Sequence, residues 1–552
     1  MHTNRSALAA LLGCALLSAC ATPLVRVAQP DLREGAPVIE RLVDLGGQPL
    51  PDAGLLSQDE SDGVLTTGEW VAVLGQGLDA GGRSSVTVDG AAIAIKGHLQ
   101  GGSLLVQVPR RLAPRQTHQL AVTTPAGTTA VSFTVKSYIV VGDTSGKTVR
   151  FLPMEPNGKT VLSKPAANID VKEAYLHTLS PSGAWLYVVQ SLGQEDQKKS
   201  LVSEIAVVHM GASKHPKLVG TFPFQSATLP TAVTMLDENT LLVLCENELL
   251  VCEVKGGRVA TVGRVDLPRA PGKSLYVDVE AVSGRAAIAL EAYGNSVTLI
   301  DLSDLRQPRV QTTLDVGKVK GVPWSVDLAR DPDDDRAVWL LQGPNFRLSG
   351  EKVSQSVDAV TAKVKAALGL KKSTAATPTD EAKAPQESYA RLVRIRADGG
   401  ALQIAGERPL PSDFFPFFLL AQPKGEFLIS GVTSDVFRFA GLPRSFAGLK
   451  SAIDVLTGSL QFGRILRLRA GGSAEPVVKG PALYFNLDTL TDGTLLYSVI
   501  RPGFRVLPPS LDVEWGVESA GSSDTDQDYQ RLLQLEWTTL IPPYALGLLS
   551  VQ

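Results

Sequence analysis

The stretch "AVTMLDENTLLVLCENELLVCEV" (Ala232–Val254) decides the fold. It reads as an alternating strand, a polar turn at Asp237-Glu238-Asn239, a strand apolar on both faces, a second turn at Glu246-Asn247-Glu248, and a third strand. Period-2 patterning broken by turn residues marks strands. The same grammar recurs in "HTLSPSGAWLYVVQ" (His177–Gln190) with "SEIAVVHM" (Ser203–Met210), and in "VDVEAVSGRAAIALEAYGNSVTLIDL" (Val277–Leu302). It returns in "WSVDLARDPDDDRAVWLLQG" (Trp324–Gly343), "LLAQPKGEFLISGVTSDVFRF" (Leu419–Phe439) and "NLDTLTDGTLLYSVIRPGFRVL" (Asn486–Leu507). Successive starts fall about 45–55 residues apart, with one longer interval, which is the period of a four-stranded propeller blade. Six units are complete. A seventh forms if the C-terminal "YALGLLSVQ" (Tyr544–Gln552) joins "YIVVGDTSGKTVRFL" (Tyr138–Leu152), a closure that leaves few free strand edges. The expected fold is therefore all-β, with a propeller of about seven blades over 137–552; six or eight also fit the period.

Within the first of these units, "SPSGAWLYVV" (Ser180–Val189) resembles the YVTN-like, surface-layer branch of propellers.

Upstream, short alternating runs separated by glycines occupy 37–136: "EWVAVLGQGL" (Glu69–Leu78), "SVTVDGAAIAI" (Ser85–Ile95), "LLVQVP" (Leu104–Pro109), "HQLAVTTPAG" (His118–Gly127) and "AVSFTV" (Ala130–Val135). This is the pattern of a small β-sandwich. Pro37-Val38-Ile39, Thr67-Gly68, Val71–Leu78, Val86–Gly90, Val106–Pro109, Val122–Gly127 and Phe133-Thr134-Val135 resemble the IPT/TIG family of immunoglobulin-like domains. The resemblance implies an Ig-like fold serving as a spacer or adhesive module.

The chain begins with one cation, Arg5, and an apolar run from Ala7 to Leu17, too short to span a bilayer and of the length of a secretory signal. Leu17-Ser18-Ala19-Cys20 resembles the lipobox of bacterial lipoproteins. The resemblance implies a signal peptide over 1–19 and lipidation of Cys20 as the first mature residue. With no aspartate after it, the implied place is the bacterial outer membrane, on its periplasmic or outer face. Several acyl chains at about 0.8 kcal/mol per buried methylene hold where one chain does not. Residues 20–36 read as a tether of roughly 20 Å.

An insertion over 347–387 interrupts the propeller. Val353, Val357, Val360, Val364 and Leu368 form one helical stripe, followed by a polar, Pro-containing tail. It reads as an insertion packed on the rim, or as a docking helix for a partner or a membrane.

Chemistry is sparse at this level. Formal charge is −3 with no basic block, which argues against nucleic acid. Of six histidines none forms a ligand-spaced pair, and no nucleophile elbow, P-loop or dinucleotide fingerprint occurs. No metal and no cofactor is expected. "SDTDQD" (Ser523–Asp528) lacks the Gly and Glu positions of a calcium loop, and "DPDDD" (Asp331–Asp335) reads as a turn. "SDFFPFFLLA" (Ser412–Ala421) reads as a buried inner strand, or, if Pro416 interrupts the pairing, as an aromatic patch on the central channel. Cys245 and Cys252 are a disulfide or two buried thiols. The expected function is a lipid-anchored, non-enzymatic scaffold binding a protein partner at the outer membrane. The alternatives are an adhesin or motility or secretion component, and a propeller enzyme or carbohydrate-binding module.

Overall fold

A computed structural model describes residues 35–45, 63–143 save 100 and 111, and 147–551 apart from 155–164, 173–175, 192–201, 212–214, 227, 269–274, 293–294, 318–322, 345–389, 412, 434–460, 473, 491–492, 507–508, 521–526 and 537–548; from residue 500 onward it describes backbone alone. The signal segment with Cys20, the tether up to residue 34 and the 347–387 insertion lie outside the described residues.

Nine strands build a sandwich. One sheet runs β1 (Val38–Asp44), β3 (Trp70–Gln76), β7 (Ser103–Gln107), β6 (Gly97–Leu99). The other runs β2 (Val64–Thr66), β9 (Gly127–Lys136), β8 (Thr117–Thr124), β4 (Ser85–Val88), β5 (Ala91–Ile93), with β2 parallel to β9. Alternation decides what is buried. Val71 and Val73 of one sheet meet Val86, Val88, Leu120, Val122 and Phe133 of the other in one core. Asp89-Gly90, both at positive φ, make the two-residue turn between β4 and β5, as an Asp-Gly pair favours. Buried His118 bridges that turn to the loop before β8: its Nδ1 lies 2.6 Å from Asp89 Oδ2 and its Nε2 2.7 Å from the Ala113 carbonyl. The His118 contact, joined by the Gln119 N–H, holds the Asp89 carboxyl below its ordinary range.

The rest is a propeller of seven four-stranded sheets among the described residues. Blade 1 joins β10 (Tyr138–Asp143), β11 (Thr148–Pro153) and β12 (Ala167–Asp170) to the C-terminal β37 (Leu549–Val551). Ile139 pairs with Val551 and Val141 with Leu549, so the last strand supplies the innermost position of the first blade. Blades 2 to 7 follow in chain order, each a four-strand meander: β13–β16 (176–225), β17–β20 (230–266), β21–β24 (276–315), β25–β28 (323–409), β29–β32 (414–480) and β33–β36 (483–536). The first strand of each is innermost: β13, β17, β21, β25, β29, β33 and then β37 neighbour one another around the axis.

The cores lie between blades. Trp185, Tyr187 and Val207 of blade 2 pack on Leu241, Val243 and Leu250 of blade 3, and comparable clusters fill the other seams from blade 1 to blade 7. A middle strand therefore buries both faces. This is why Thr240–Cys245 and Glu248–Cys252 are apolar almost without alternation and wholly buried, while the outer strand Lys217–Gln225 alternates. At about 25 cal/mol per Å² of apolar surface, these seams are the main stabilising term.

The disulfide that the sequence left open is not formed: Cys245 and Cys252 are both free and buried in the seam between blades 2 and 3. The hairpin register places Leu241 opposite Cys252. Burial first pushes the two thiols up, to about 12 and about 11 respectively.

The sandwich seats on blade 2. A Cβ on Gly68, at φ +78°, would stand 2.2 Å from the Ser182 carbonyl oxygen and 2.7 Å from the Ala184 nitrogen. Ser182 is fixed in turn by Glu238 of blade 3, which accepts its backbone N–H at 3.0 Å and its hydroxyl.

Candidate active site

The innermost strands share a device. Those of blades 3 to 7 each carry one extra residue against their neighbour, at Thr231, Val277, Val326, Phe417 and Asn486. Such bulges bend a strand and re-aim the side chains beside them. The residues that follow, Ala232, Asp278, Asp327, Phe418 and Leu487, thus occupy equivalent places around the axis.

Two of these are carboxylic acids, and each reaches to the next blade. The Leu328 N–H donates to Asp278 Oδ2 at 2.7 Å, and the Leu419 N–H donates to Asp327 Oδ2 at 2.7 Å. Asp278 Oδ1 also accepts from its neighbour Val279 N–H at 2.8 Å. The two carboxyls are close enough to act on each other, and like charges so placed resist ionising together. Burial first, and the Asp278 charge second, drive the Asp327 pKa well above the carboxylate range. Burial also raises Asp278, while Asp327 and the N–H groups of Leu328 and Val279 oppose the rise.

Glu280 lies two residues beyond Asp278 on the same strand, hence on the same face. It is half-buried, as are Asp278 and Asp327, and no hydrogen bond engages its carboxyl among the described residues. Burial first, and the Asp278 charge second, push it up to about 8, with Arg330 pulling the other way. Glu280 is therefore a protonated carboxyl at neutral pH with its donor uncommitted.

Aromatic rings continue the ring of equivalent places. Phe417, on the bulge, stacks on Phe485 of blade 7 with centroids 5.8 Å apart and planes 17° apart. Phe418 meets the same ring edge-on at 5.8 Å and 81°. Pro416 does stand at the edge of an interrupted ladder, and Phe417 and Phe418 are half-buried where Phe414 is fully buried. His177 stands on the innermost strand of blade 2, where burial lowers it to about 4 and keeps it neutral.

The residues singled out from sequence lie elsewhere: Cys245 and Cys252 are in a seam, and Cys20 is outside the described residues. Among the described residues no three His, Cys, Asp or Glu side chains are arranged to hold a metal ion. "DPDDD" is a structural turn, with Arg394 on Asp331 at 2.7 Å and on Asp334 at 3.0 Å, and Arg396 on Asp334 at 3.1 Å. Ser523–Thr525 and Asp526 lie outside the described residues, and Asp528 falls at the start of β36. Sequence reasoning passed over Asp278, Glu280 and Asp327. The available signal was a carboxylate within an apolar run, in "YVDVEAV" and again in "SVDLA".

No protein-family model and no curated protein matches the sequence. Solved structures do. A candidate 6-phosphogluconolactonase of Bacteroides fragilis is 10% identical, covering 73% of this chain and 95% of its own, at a TM-score of 0.43. The periplasmic gluconolactonase of Pseudomonas aeruginosa is 12% identical, covering 73% and 96%, at 0.45. The WD40 domain of SCAP from fission yeast is 10% identical, covering 74% and 89%, at 0.33. The class of protein is thus a β-propeller, as the chain's own seven sheets define it. The expectation of a non-enzymatic scaffold is corrected: solved chains similar to this one include two named as lactonases. At these identities the likeness concerns the fold, and no activity passes to this chain through it.

Proposed function

We propose that the chain is an enzyme whose propeller channel performs acid–base hydrolysis of a small oxygen-linked substrate, with Glu280 as proton donor. The observation that supports this is the arrangement of Asp278, Glu280 and Asp327 on two adjacent innermost strands. Asp278 and Asp327 engage each other and the next blade, so they position, while the Glu280 donor stays uncommitted. A donor titrating near the working pH is suited to both halves of a proton-transfer cycle. Water adds to the electrophilic carbon, the bond to the departing oxygen breaks, and that oxygen takes the Glu280 proton. The proton released by the water restores Glu280, so one water is consumed and no other reactant is required.

Lactone hydrolysis is one reaction of this class and supplies the assay. The purified chain is expected to open D-glucono-1,5-lactone or a related lactone, and Glu280→Gln to lower the rate about 100-fold or more, the range of a lost general acid. Undiminished turnover in E280Q, measured beside an intact circular dichroism spectrum, would overturn the assignment.

The same reading takes 1–19 as a signal peptide, Cys20 as the lipid attachment point and 37–136 as an IPT/TIG-type Ig-like spacer. The support is the lipobox-like Leu17–Cys20 and the glycine-punctuated runs quoted above. Cys20→Ala should move the protein from the membrane to the soluble fraction; continued membrane retention would remove the anchor from the account.

A further inference from the structure

We infer that the joint between sandwich and propeller is a proton-operated catch: Glu69 of the sandwich and His209 of blade 2 meet across it, and uptake of a proton by His209 lets the sandwich off its seat while the blades stay folded.

Three short pieces build the joint. The sandwich brings residues 66–69, the link into the propeller brings Ser137 and Tyr138, and blade 2 brings the turn at 180–184 with residues 209–211 at the end of its third strand. Thr67, Glu69, Ser137, Ala184 and His209 are all buried. The Thr67 hydroxyl lies 3.2 Å from that of Ser137, and Gly68 lets the Ser182 carbonyl oxygen approach closer than a side chain would allow. Glu69 is fixed through its Oε2, which accepts the Thr66 N–H at 2.7 Å. Its Oε1 turns to blade 2: a Cβ built on Gly211 would lie 3.3 Å from Glu69 Oε1 and 3.4 Å from His209 Nε2. Carboxyl and imidazole, one from each domain, converge on the small space that glycine leaves there.

The His209 ring lies on Trp185 with centroids 4.7 Å apart, and its Nε2 is buried with no hydrogen-bond partner among the described residues. A neutral imidazole tolerates that place; a charged one loses its hydration there. The cations around it face water. Lys217, opposite His209 in the ladder, is exposed, as is His215. Lys255 and Arg258, beside the Gly257 turn that packs on Trp185, are exposed too. Tyr138 stays neutral, since burial and the Glu69 charge push it up to about 12 against the pull of Arg115. Glu69 is the anion that meets the imidazole. Burial outweighs its attraction and lowers His209 to about 4. The neutral ring therefore favours the closed joint fully above about pH 6.5, and that contribution is withdrawn as pH falls towards 4.

The test is amide hydrogen exchange of the full chain from pH 7 to pH 4, corrected for the intrinsic pH dependence of exchange and read at 66–69 and 182–184 against the middle strands of blades 3 and 4. Opening at the joint should rise by up to about 300-fold relative to the blades, the ratio set by about 4 in the fold against 6.5 outside it. His209→Gln should keep the joint closed over the whole range, and His177→Gln should respond as the parent does. Glu69→Gln removes the attraction for the imidazolium and should move the opening to higher pH. His209→Phe replaces the glutamine variant should that one lose its folded circular dichroism spectrum. A joint as protected at pH 4 as at pH 7, or an equal response in H209Q, overturns the inference. So does loss of protection in the blades together with the joint, or opening in E69Q at lower pH than in the parent.

Discussion

Replacing Glu280 by glutamine should change how the fold's stability depends on pH, whatever the substrate is. A carboxyl pushed up to about 8 in the fold, against 4.5 for an unperturbed glutamate, binds a proton more tightly folded than unfolded. The stability that goes with that proton is fully present below about pH 4.5 and is lost as pH rises through about 8. At about 1.4 kcal/mol per pH unit, the gap amounts to ~5 kcal/mol for a fully enclosed group. Glutamine keeps the shape and removes the titration. Urea denaturation at pH 5, 7 and 9, followed by tryptophan fluorescence, should show E280Q near the parent at pH 5 and more stable by ~5 kcal/mol at pH 9. A constant difference between the two proteins across that range would refute the reasoning.

Three further outcomes are expected. Gly68→Ala places a methyl group 2.2 Å from the Ser182 carbonyl at a backbone angle alanine resists, so it should destabilise the seat of the sandwich by about 2–4 kcal/mol and speed proteolysis between sandwich and propeller. His177 and His209, both lowered to about 4 by burial, take up protons on unfolding, so they favour the fold above about pH 6.5 and withdraw that contribution as pH falls towards 4; His209→Gln should lessen the acid sensitivity measured by thermal midpoints. Deleting 549–552 removes the inner strand of blade 1 and should lower the thermal midpoint sharply, since Ile139 to Val141 then lose their ladder partners.

The architecture was legible because a propeller writes itself into hydrophobic periodicity. Middle strands buried on both faces give the solid runs "TLLVLC" and "AAIALE", and the repeat spacing follows from four strands and their turns. The blade-closing partnership of the two ends could be read because both are short apolar strands that one blade lacks. The site was not legible. Its carboxyls converge only through bulges at equivalent places in different blades, and one residue of register decides whether Asp278 meets the next blade or the solvent. "SDFFPFFLLA" showed the aromatic density but could not show that Phe485, some seventy residues on, completes the stack. Cysteines drew notice because their chemistry is conspicuous, yet burial makes Cys245 and Cys252 packing residues.

The claim at the centre of this account is that Glu280 stands protonated in the channel at neutral pH. Infrared difference spectra of the parent against E280Q, recorded across a pH titration, read the protonated carboxyl directly. The account predicts a carboxylic acid band, absent from E280Q, that persists at pH 7 and disappears with a midpoint near the value of about 8. A band already lost by pH 6 would contradict it.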